Sequence, residues 1–149
     1  MSLELKRVEK KVGQDTHIYR TDLVFKKNTI NILLGSTLAG KTTLMQIMAG
    51  LDKPTSGEIW FNGKNVTGQA VQKRNVSMVY QQFINYPNFT VFDNIASPLK
   101  IIGTSSEEIK KRVGDVADLL KLSGMLNKKP NELSGGQQQR TALARALIK

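Results

Sequence analysis

The stretch that decides the fold is Gly35-Ser36-Thr37-Leu38-Ala39-Gly40-Lys41-Thr42. It matches the phosphate-loop pattern G-x-x-x-x-G-K-[ST] at every fixed position. Gly35 and Gly40 allow the backbone to curl, so that successive N–H groups converge on phosphate oxygens. Lys41 brings a full positive charge to the β- and γ-phosphates, and the Thr42 hydroxyl can ligate Mg²⁺. We therefore predict a nucleotide-binding loop over residues 35–43.

The residues on either side of this loop indicate a strand followed by a helix. Thr29–Leu34 is a short apolar run that stops at Gly35, which predicts a strand buried on both faces. From Lys41 onward the apolar residues recur at helical spacing, and Gly50 provides a helix stop. An ordinary glycine-containing turn between a strand and a helix would explain the glycines but not the whole pattern.

The rest of the chain contains further elements of both kinds. Apolar and alternating runs predict strands at Leu3–Val8, Asp22–Phe25, Glu58–Phe61 and Val76–Tyr80, the third of them entering a hairpin at Asn62-Gly63. Three helices are predicted after the capping residues Thr90, Ser105 and Ser134, and Glu108 completes a capping box with Ser105. The last helix has no stop signal before Lys149, so we expect that the protein has been cut short.

A second motif, Leu133-Ser134-Gly135-Gly136-Gln137, opens the last helix. A simple capped helix explains Ser134 and Gln137. It does not explain two adjacent glycines, which weaken a helix by about 1 kcal/mol each relative to Ala. The bare helix N-terminus is suited to an anion, so we expect another group to approach this backbone closely.

Composition excludes several classes of protein. The 149 residues contain no cysteine and one histidine, which excludes disulfides and thiolate metal sites. No apolar run approaches the roughly 18 residues of a membrane span and no secretory leader opens the chain, so we expect a cytosolic protein. The net charge of +10 comes from dispersed basic pairs that are not interleaved with aromatic residues. Direct binding to nucleic acid is therefore not expected.

Three features occur in a fixed order along the chain: the phosphate loop, Gln81 just after a predicted strand, and the Leu133–Gln137 motif. Together they resemble the ATP-binding-cassette (ABC) ATPases, and the resemblance covers essentially the whole chain. The stretches Val71–Val76 and Val79–Pro87 are similar to bacterial sugar and polyol importers, and within the second of them Gln81–Pro87 most resembles glycerol-uptake ATPases. The resemblance implies an α/β P-loop NTPase fold with an N-terminal antiparallel β subdomain, a helical subdomain and an incomplete core sheet. It divides the chain into a nucleotide-binding core (1–87), a helical subdomain (88–133) and a signature helix (134–149).

The resemblance also implies the site. Two ATP molecules would lie between two facing ATPase subunits, each on one subunit's loop of Gly35, Ser36, Thr37, Leu38, Ala39, Gly40, Lys41, Thr42 and Thr43. The partner subunit would cover each ATP with Ser134, Gly135, Gly136 and Gln137. Thr42 and Gln81 would hold Mg²⁺, and Gln81 would assist the attacking water. Residues from about 88 to 129 would face transmembrane permease subunits, which places the protein peripherally on the cytoplasmic face of the inner membrane.

This sequence departs from the family pattern in three ways. Val12 stands where the family has an aromatic residue that stacks on adenine. Tyr19 either stacks on adenine in its place or packs in the core. Leu38 stands where the family commonly has glycine. The family's Mg-binding Asp, catalytic Glu and switch His have no counterpart before Lys149, so we expect this fragment to bind nucleotide weakly and to hydrolyse almost none. A missing strand beside Thr29–Leu34 would expose sheet edge and apolar surface, so we also expect self-association.

Three functions remain open at this point. The leading one is the ATP-hydrolysing subunit of an importer for a sugar or a polyol such as glycerol. The alternative is a soluble ABC-type ATPase acting on nucleic acid or ribosomes, which the charge of +10 would suit. The compact helical stretch between Gln81 and Ser134, with no long coiled coil, favours transport. The third function is a non-enzymatic nucleotide-binding or interaction fragment.

Overall fold

The computed structural model describes residues 2–149, and the chain divides into two compact units, Met1–Val76 and Ser77–Lys149. Four strands build an antiparallel sheet in the first unit: β1 (Leu3–Val12), β2 (Asp15–Phe25), β3 (Ser56–Phe61) and β4 (Lys64–Asn65). Their order across the sheet is β2-β1-β3-β4, so β1 has a partner on each side. The predicted strands 3–8 and 22–25 are parts of longer strands, and the predicted hairpin turn at Asn62-Gly63 joins β3 to β4 with φ angles of 49° and 75°.

A β-bulge at Arg7 decides which side chains of β1 face the core. Leu5 pairs with Leu23 whereas Val8 pairs with Thr21, so one residue of β1 is extra. Leu5 and Val8 are three positions apart and would face opposite sides of a regular strand. The bulge, in which Arg7 has a φ of 50°, brings both into the core. Simple alternation therefore does not continue through this strand.

The helix α1 (Lys41–Ala49) packs against this sheet. Its buried residues, Leu44 and Ile47, join a core cluster that is completed by Leu5, Val8, Ile18 and Ile59. The predicted stop at Gly50 is confirmed, since Gly50 has a φ of 82° and its N–H donates to the Ile47 carbonyl. The sheet and its core thus hold the helix that follows the phosphate loop.

Two predicted strands are absent from the described residues. Thr29–Leu34 has no strand pairing, and its apolar side chains are exposed rather than buried, with Ile30 at 93% and Leu34 at 86%. Val76–Tyr80 is irregular as well. A strand requires hydrogen-bonding partners from elsewhere in the chain, and within residues 2–149 neither segment pairs with a strand. The prediction that both segments are strands is therefore wrong for this structure.

Three helices make up the second unit: α2 (Val91–Ile101), α3 (Ser106–Leu119) and α4 (Gly135–Leu147). All three begin at the predicted caps, because the side chains of Thr90, Ser105 and Ser134 accept hydrogen bonds from the backbone N–H three residues later. Short 3₁₀ turns at Val71–Lys73, Ser123–Met125 and Pro130–Glu132 complete the described elements. The helices enclose an apolar cluster, which includes Val91, Ile95, Leu99, Ile109, Val113, Ala117, Leu122, Ala144 and Ile148.

Candidate functional site

The segment between Gly35 and Lys41 forms a curled turn that leads directly into α1. The Ala39 N–H donates to the Ser36 carbonyl at 3.3 Å, and both Leu38 and Gly40 lie in the left-handed region with φ angles of 67° and 81°. Residues 35–39 are all exposed. The turn is therefore compact and open to solvent, as a phosphate-binding loop requires.

Gly40 is required here for two reasons, of which the sequence revealed only one. Its φ is positive, which favours glycine. In addition, a Cβ at this position would lie 2.7 Å from the His17 carbonyl oxygen and 2.7 Å from the Ile18 side chain. The β2 strand therefore supports the end of the loop at a distance that only glycine permits.

The Lys41 ammonium lies within the curl of the loop. Its Nζ donates to the Gly35 carbonyl at 2.7 Å and to the Ser36 carbonyl at 2.6 Å. Both acceptors are neutral carbonyl oxygens, whereas a phosphate oxygen is negatively charged and adds a Coulomb attraction to the hydrogen bond. Phosphate oxygens would therefore compete well for this ammonium group.

The N-terminus of α1 differs from the other α-helix starts in residues 2–149. No side chain caps it, whereas side chains cap α2, α3 and α4. The first N–H groups of a helix have no partner within the helix, and the helix dipole is positive at this end. The arrangement provides unpaired donors, a positive dipole and the Lys41 charge at one point, which fits a polyphosphate.

The two residues predicted to hold Mg²⁺ lie in different units. Thr42 is exposed, and no hydrogen bond among the described residues uses its hydroxyl. A hydroxyl oxygen is a suitable ligand for Mg²⁺, so this residue fits the predicted metal. Gln81 is exposed at the start of the segment that leads to α2. Its shared role with Thr42 stays a prediction.

The glycine motif before α4 forms a complete capping box. The Gln137 N–H donates to the Ser134 hydroxyl at 3.4 Å, and the Ser134 N–H donates to Gln137 Oε1 at 2.8 Å. Gly135 and Gly136 are exposed in the first turn. A Cβ on Gly135 would lie 3.4 Å from the Phe83 ring, whereas the space beside Gly136 holds only Arg140 at 3.8 Å. One glycine is thus approached by Phe83, and the other leaves backbone open to a ligand.

The residues considered for adenine stacking lie on the N-terminal sheet. Val12 ends β1 and is exposed. Tyr19 is 77% exposed, so the alternative that it packs in the core is wrong. Stacking by either side chain stays a prediction.

Sequence reasoning missed a buried arginine that fixes the far end of α1. The Arg74 guanidinium donates to the carbonyls of Met48 at 3.0 Å and Val66 at 2.6 Å, and a Cβ on Gly50 would collide with it. Burial lowers the pKa of this guanidinium from its ordinary value. The arrangement places a positive charge at the C-terminal, negative end of the helix dipole. No signal in the sequence could have revealed it, since the acceptors are backbone carbonyls.

Two other kinds of site are absent from the described chain. Within residues 2–149, no helix combines the length and the apolar character that a membrane crossing requires. The same residues contain no group of three or more His, Cys, Asp or Glu side chains placed to hold a metal ion.

The family follows from a comparison with family models, in which the model described as ABC transporter matches residues 19–149. This chain belongs to the ABC transporter family. The ABC resemblance of the three sequence motifs and the predicted α/β P-loop NTPase fold are thereby confirmed.

Individual ABC relatives agree with this assignment. The Fe(3+) ions import ATP-binding protein FbpC of Photobacterium profundum is 44% identical over 144 residues, which are 97% of this chain and 41% of that protein. The sulfate/thiosulfate import ATP-binding protein CysA of Mesostigma viride is 41% identical over 147 residues, which are 99% of this chain and 42% of that protein. The chain therefore spans about two fifths of the length of these curated relatives.

Solved ABC structures share the fold. A dimeric post-hydrolysis structure of the ATP-binding cassette MJ0796 bound to ADP and Pi superimposes with a TM-score of 0.86 at 34% identity, covering 98% of this chain and 69% of that one. A second dimeric structure of MJ0796, a bacterial ABC transporter cassette, gives a TM-score of 0.87 at 33% identity with the same coverage.

Proposed function

We propose that this chain is part of the ATP-binding subunit of an ABC importer, which couples ATP binding and hydrolysis to the uptake of a solute. The relatives named above are import ATP-binding proteins, and this chain aligns with them over nearly its full length. Their names supply the direction of transport. Hydrolysis belongs to the whole protein, and nucleotide binding is the step that the described residues can perform.

One observation carries the proposal: α1 begins without a side-chain cap, directly after a curled loop that contains the Lys41 ammonium. The β- and γ-phosphates of ATP would bind the N–H groups at the start of α1 and the Lys41 ammonium. Thr42 would ligate Mg²⁺, which neutralises phosphate charge when bound, and Gln81 would provide a second ligand. The residues of the loop thus bind and orient the triphosphate.

We further propose that two copies of the subunit enclose the nucleotide. The solved relative is dimeric and bound to ADP and Pi, which supports this arrangement. The exposed Gly135–Gly136 backbone at the start of α4 would then face the ATP held by the other copy. Two helix N-termini would act on one highly charged phosphate group, which is electrostatically favourable. The division into a core (1–87), a helical subdomain (88–133) and a signature helix (134–149) belongs to this proposal.

Two sources bear on the class of the solute. The motif around Gln81–Pro87 resembles sugar and polyol importers, such as those for glycerol, whereas the relatives are named for ferric ions and for sulfate or thiosulfate. We propose import of a small solute, with a sugar or polyol as the class that the motif favours. Permease subunits in the inner membrane would be the partners, and the subunit would bind at their cytoplasmic face.

The proposal is tested by measuring MgATP binding to the chain by isothermal titration calorimetry. We expect Lys41→Ala to weaken binding at least tenfold, because it removes the only full charge in the loop. Lys64→Ala is the matched control: Lys64 is an exposed lysine on β4 whose ammonium makes no hydrogen bond or ion pair among the described residues. Equal affinity of the chain and the Lys41→Ala variant, or no binding by the unmodified chain at millimolar MgATP, would contradict the proposal.

The alternative is a soluble ABC-type ATPase that acts on nucleic acid or ribosomes. Its support is the net charge of +10. The basic side chains are dispersed along the sequence, and the named relatives are import proteins, so transport is the better supported function.

A further inference from the structure

The segment of residues 83–86, here called the Phe83–Tyr86 loop, is attached to α4 by several contacts. The Asn85 side-chain amide donates to the Gln138 carbonyl at 2.9 Å. The Arg145 guanidinium donates to the Ile84 carbonyl and lies 4.9 Å from the centre of the Tyr86 ring. The loop follows Gln81 by only two residues, so these contacts fix the backbone next to a candidate site residue.

The contacts on α4 lie along a single face of the helix. The Phe83 ring lies against Gly135. The other two points of contact, Gln138 and Arg145, follow Gly135 by three and ten residues. At 3.6 residues per turn these positions fall within about 80° of one another. The loop therefore covers one stripe of α4 that begins in the glycine turn itself.

A second attachment comes from α2 through the fully buried Asn94. Its Oδ1 accepts from the Tyr86 N–H at 2.7 Å, and its Nδ2 donates to the carbonyls of Tyr86, Phe89 and Thr90 at 3.1, 3.2 and 2.9 Å. This side chain fixes the end of the loop on α2. Apart from the contact of the Phe83 ring with Gly135, the stretch from Phe83 to Tyr86 depends on Asn85 and Arg145 for its position on α4.

We infer that Arg145 and Asn85 are positioning residues that make the loop after Gln81 and the Ser134–Gly136 turn move as one body. The inference rests on the proposed function, because the turn matters only if it faces a nucleotide. Arg145 is suited to the role since one planar guanidinium can donate to a carbonyl and stack on an aromatic ring at once. A rearrangement of the loop after Gln81 would thereby be transmitted to the glycine turn without a change in the phosphate loop.

The attachment can be removed without unfolding the unit. The hydrogen bond between the Arg145 guanidinium and the Ile84 carbonyl is exposed, so water can replace the guanidinium there. Ala144 and Ile148, which are buried in the helical core, hold α4 independently of Arg145. We therefore expect Arg145→Met and Asn85→Ala to fold, as circular dichroism would verify.

The test measures distances between spin labels, and the absence of cysteine from the chain makes labelling at introduced cysteines selective. One pair of labels, at Gln82→Cys and Gln139→Cys, reports the loop relative to α4. A reference pair, at Lys110→Cys and Gln139→Cys, reports α3 relative to α4. All three residues are exposed, and their side chains make no hydrogen bond within the described part of the chain. Lys111→Met, a charge-removing change at an exposed position of α3, is the matched control.

We expect Arg145→Met and Asn85→Ala each to widen the 82–139 distance distribution at least twofold and to leave the 110–139 distribution unchanged. Lys111→Met should change neither. An unchanged 82–139 distribution would overturn the inference. Equal widening of both distributions would overturn it too, because Arg145 would then support the helices in general rather than the loop.

A second arm addresses function. With MgATP, Arg145→Met should lower the association constant of two chains about tenfold and leave MgATP affinity unchanged. Widened distances with unaltered association would overturn the coupling to the turn. If the unmodified chain binds no MgATP, the proposed function fails, and the distance measurement still decides whether Arg145 positions the loop.

Discussion

Leu38 occupies a backbone conformation that its side chain disfavours, and replacing it with glycine should stabilise the phosphate loop. Its φ is 67°, in the left-handed region, and its side chain is 99% exposed. Nearly complete exposure means that Leu38→Gly removes no buried apolar surface. The change should therefore act through backbone conformation alone.

The magnitude follows from two opposing terms. An L-residue in the left-handed conformation is disfavoured by roughly 1–2 kcal/mol, and glycine would relieve this strain. Glycine also increases the conformational freedom of the unfolded chain, which offsets about 0.4–1 kcal/mol. The difference is a net stabilisation of about 0.8 kcal/mol. With a urea m-value of about 2 kcal/mol/M, the midpoint should rise by about 0.4 M.

Urea unfolding followed by tryptophan fluorescence is the appropriate measurement, because the single tryptophan, Trp60, lies on β3 in the same unit as Leu38. Leu38→Ala is the control: it removes the same exposed side chain but keeps a Cβ, so its midpoint should remain within about 0.1 M of the original. Leu38→Asn should fall between the two, since Asn tolerates positive φ better than other non-glycine residues. A midpoint raised equally by Ala and Gly would refute the argument from backbone strain.

Two further predictions concern the helical unit. Asn94→Ala should lower the free energy of unfolding by about 2–3 kcal/mol, because it leaves the Tyr86 N–H without its partner and removes the hydrogen bonds that the amide donates to three carbonyls. Urea unfolding followed by circular dichroism at 222 nm measures this loss. A loss below about 0.5 kcal/mol, as for an ordinary surface change, would contradict the role of the amide. Hydrogen bonds from Lys100 and Thr90 lower the pKa of the Asp93 carboxyl, so its stabilising contribution is present above about pH 4 and is lost as pH falls through the lowered pKa. Asp93→Asn should therefore flatten the acid limb of the curve of stability against pH. Identical acid limbs for Asp93→Asn and the unmodified chain would exclude this contribution.

Local signals in the sequence predicted the local features correctly. The caps at Thr90, Ser105 and Ser134, the stop at Gly50 and the Asn62-Gly63 turn all depend on a few adjacent residues, and each occurs where it was predicted. The start of α1 at Lys41 follows from the loop pattern in the same way. These features are decided within one or two turns of backbone, so the sequence is sufficient for them.

Features that depend on distant partners were not predictable. The apolar run at Thr29–Leu34 indicates a preference for burial. Burial would require strands from distant parts of the sequence to pair with it, and the segment is exposed in this structure. Arg74, Asn94 and Arg145 all bind backbone carbonyls, which every residue has, so no pattern of side chains could reveal their partners. The contact of Phe83 with Gly135 likewise joins residues that are 52 positions apart in the sequence.

The β-bulge at Arg7 has a consequence for the whole N-terminal sheet. Because β1 lies between β2 and β3, the extra residue opposes Asp22 of β2 on one side and Gly57 of β3 on the other. Asp22 accepts from the Arg7 N–H at 2.8 Å, and a Cβ on Gly57 would lie 2.2 Å from the Arg7 carbonyl oxygen. Sliding β2 by one residue would break the hydrogen bond between Arg7 and Asp22. Sliding β3 by one residue would place a residue with a Cβ against the Arg7 carbonyl oxygen. Insertions should therefore be tolerated at the Gly13–Gln14 turn and rejected inside β1, where one residue aligns three strands at once.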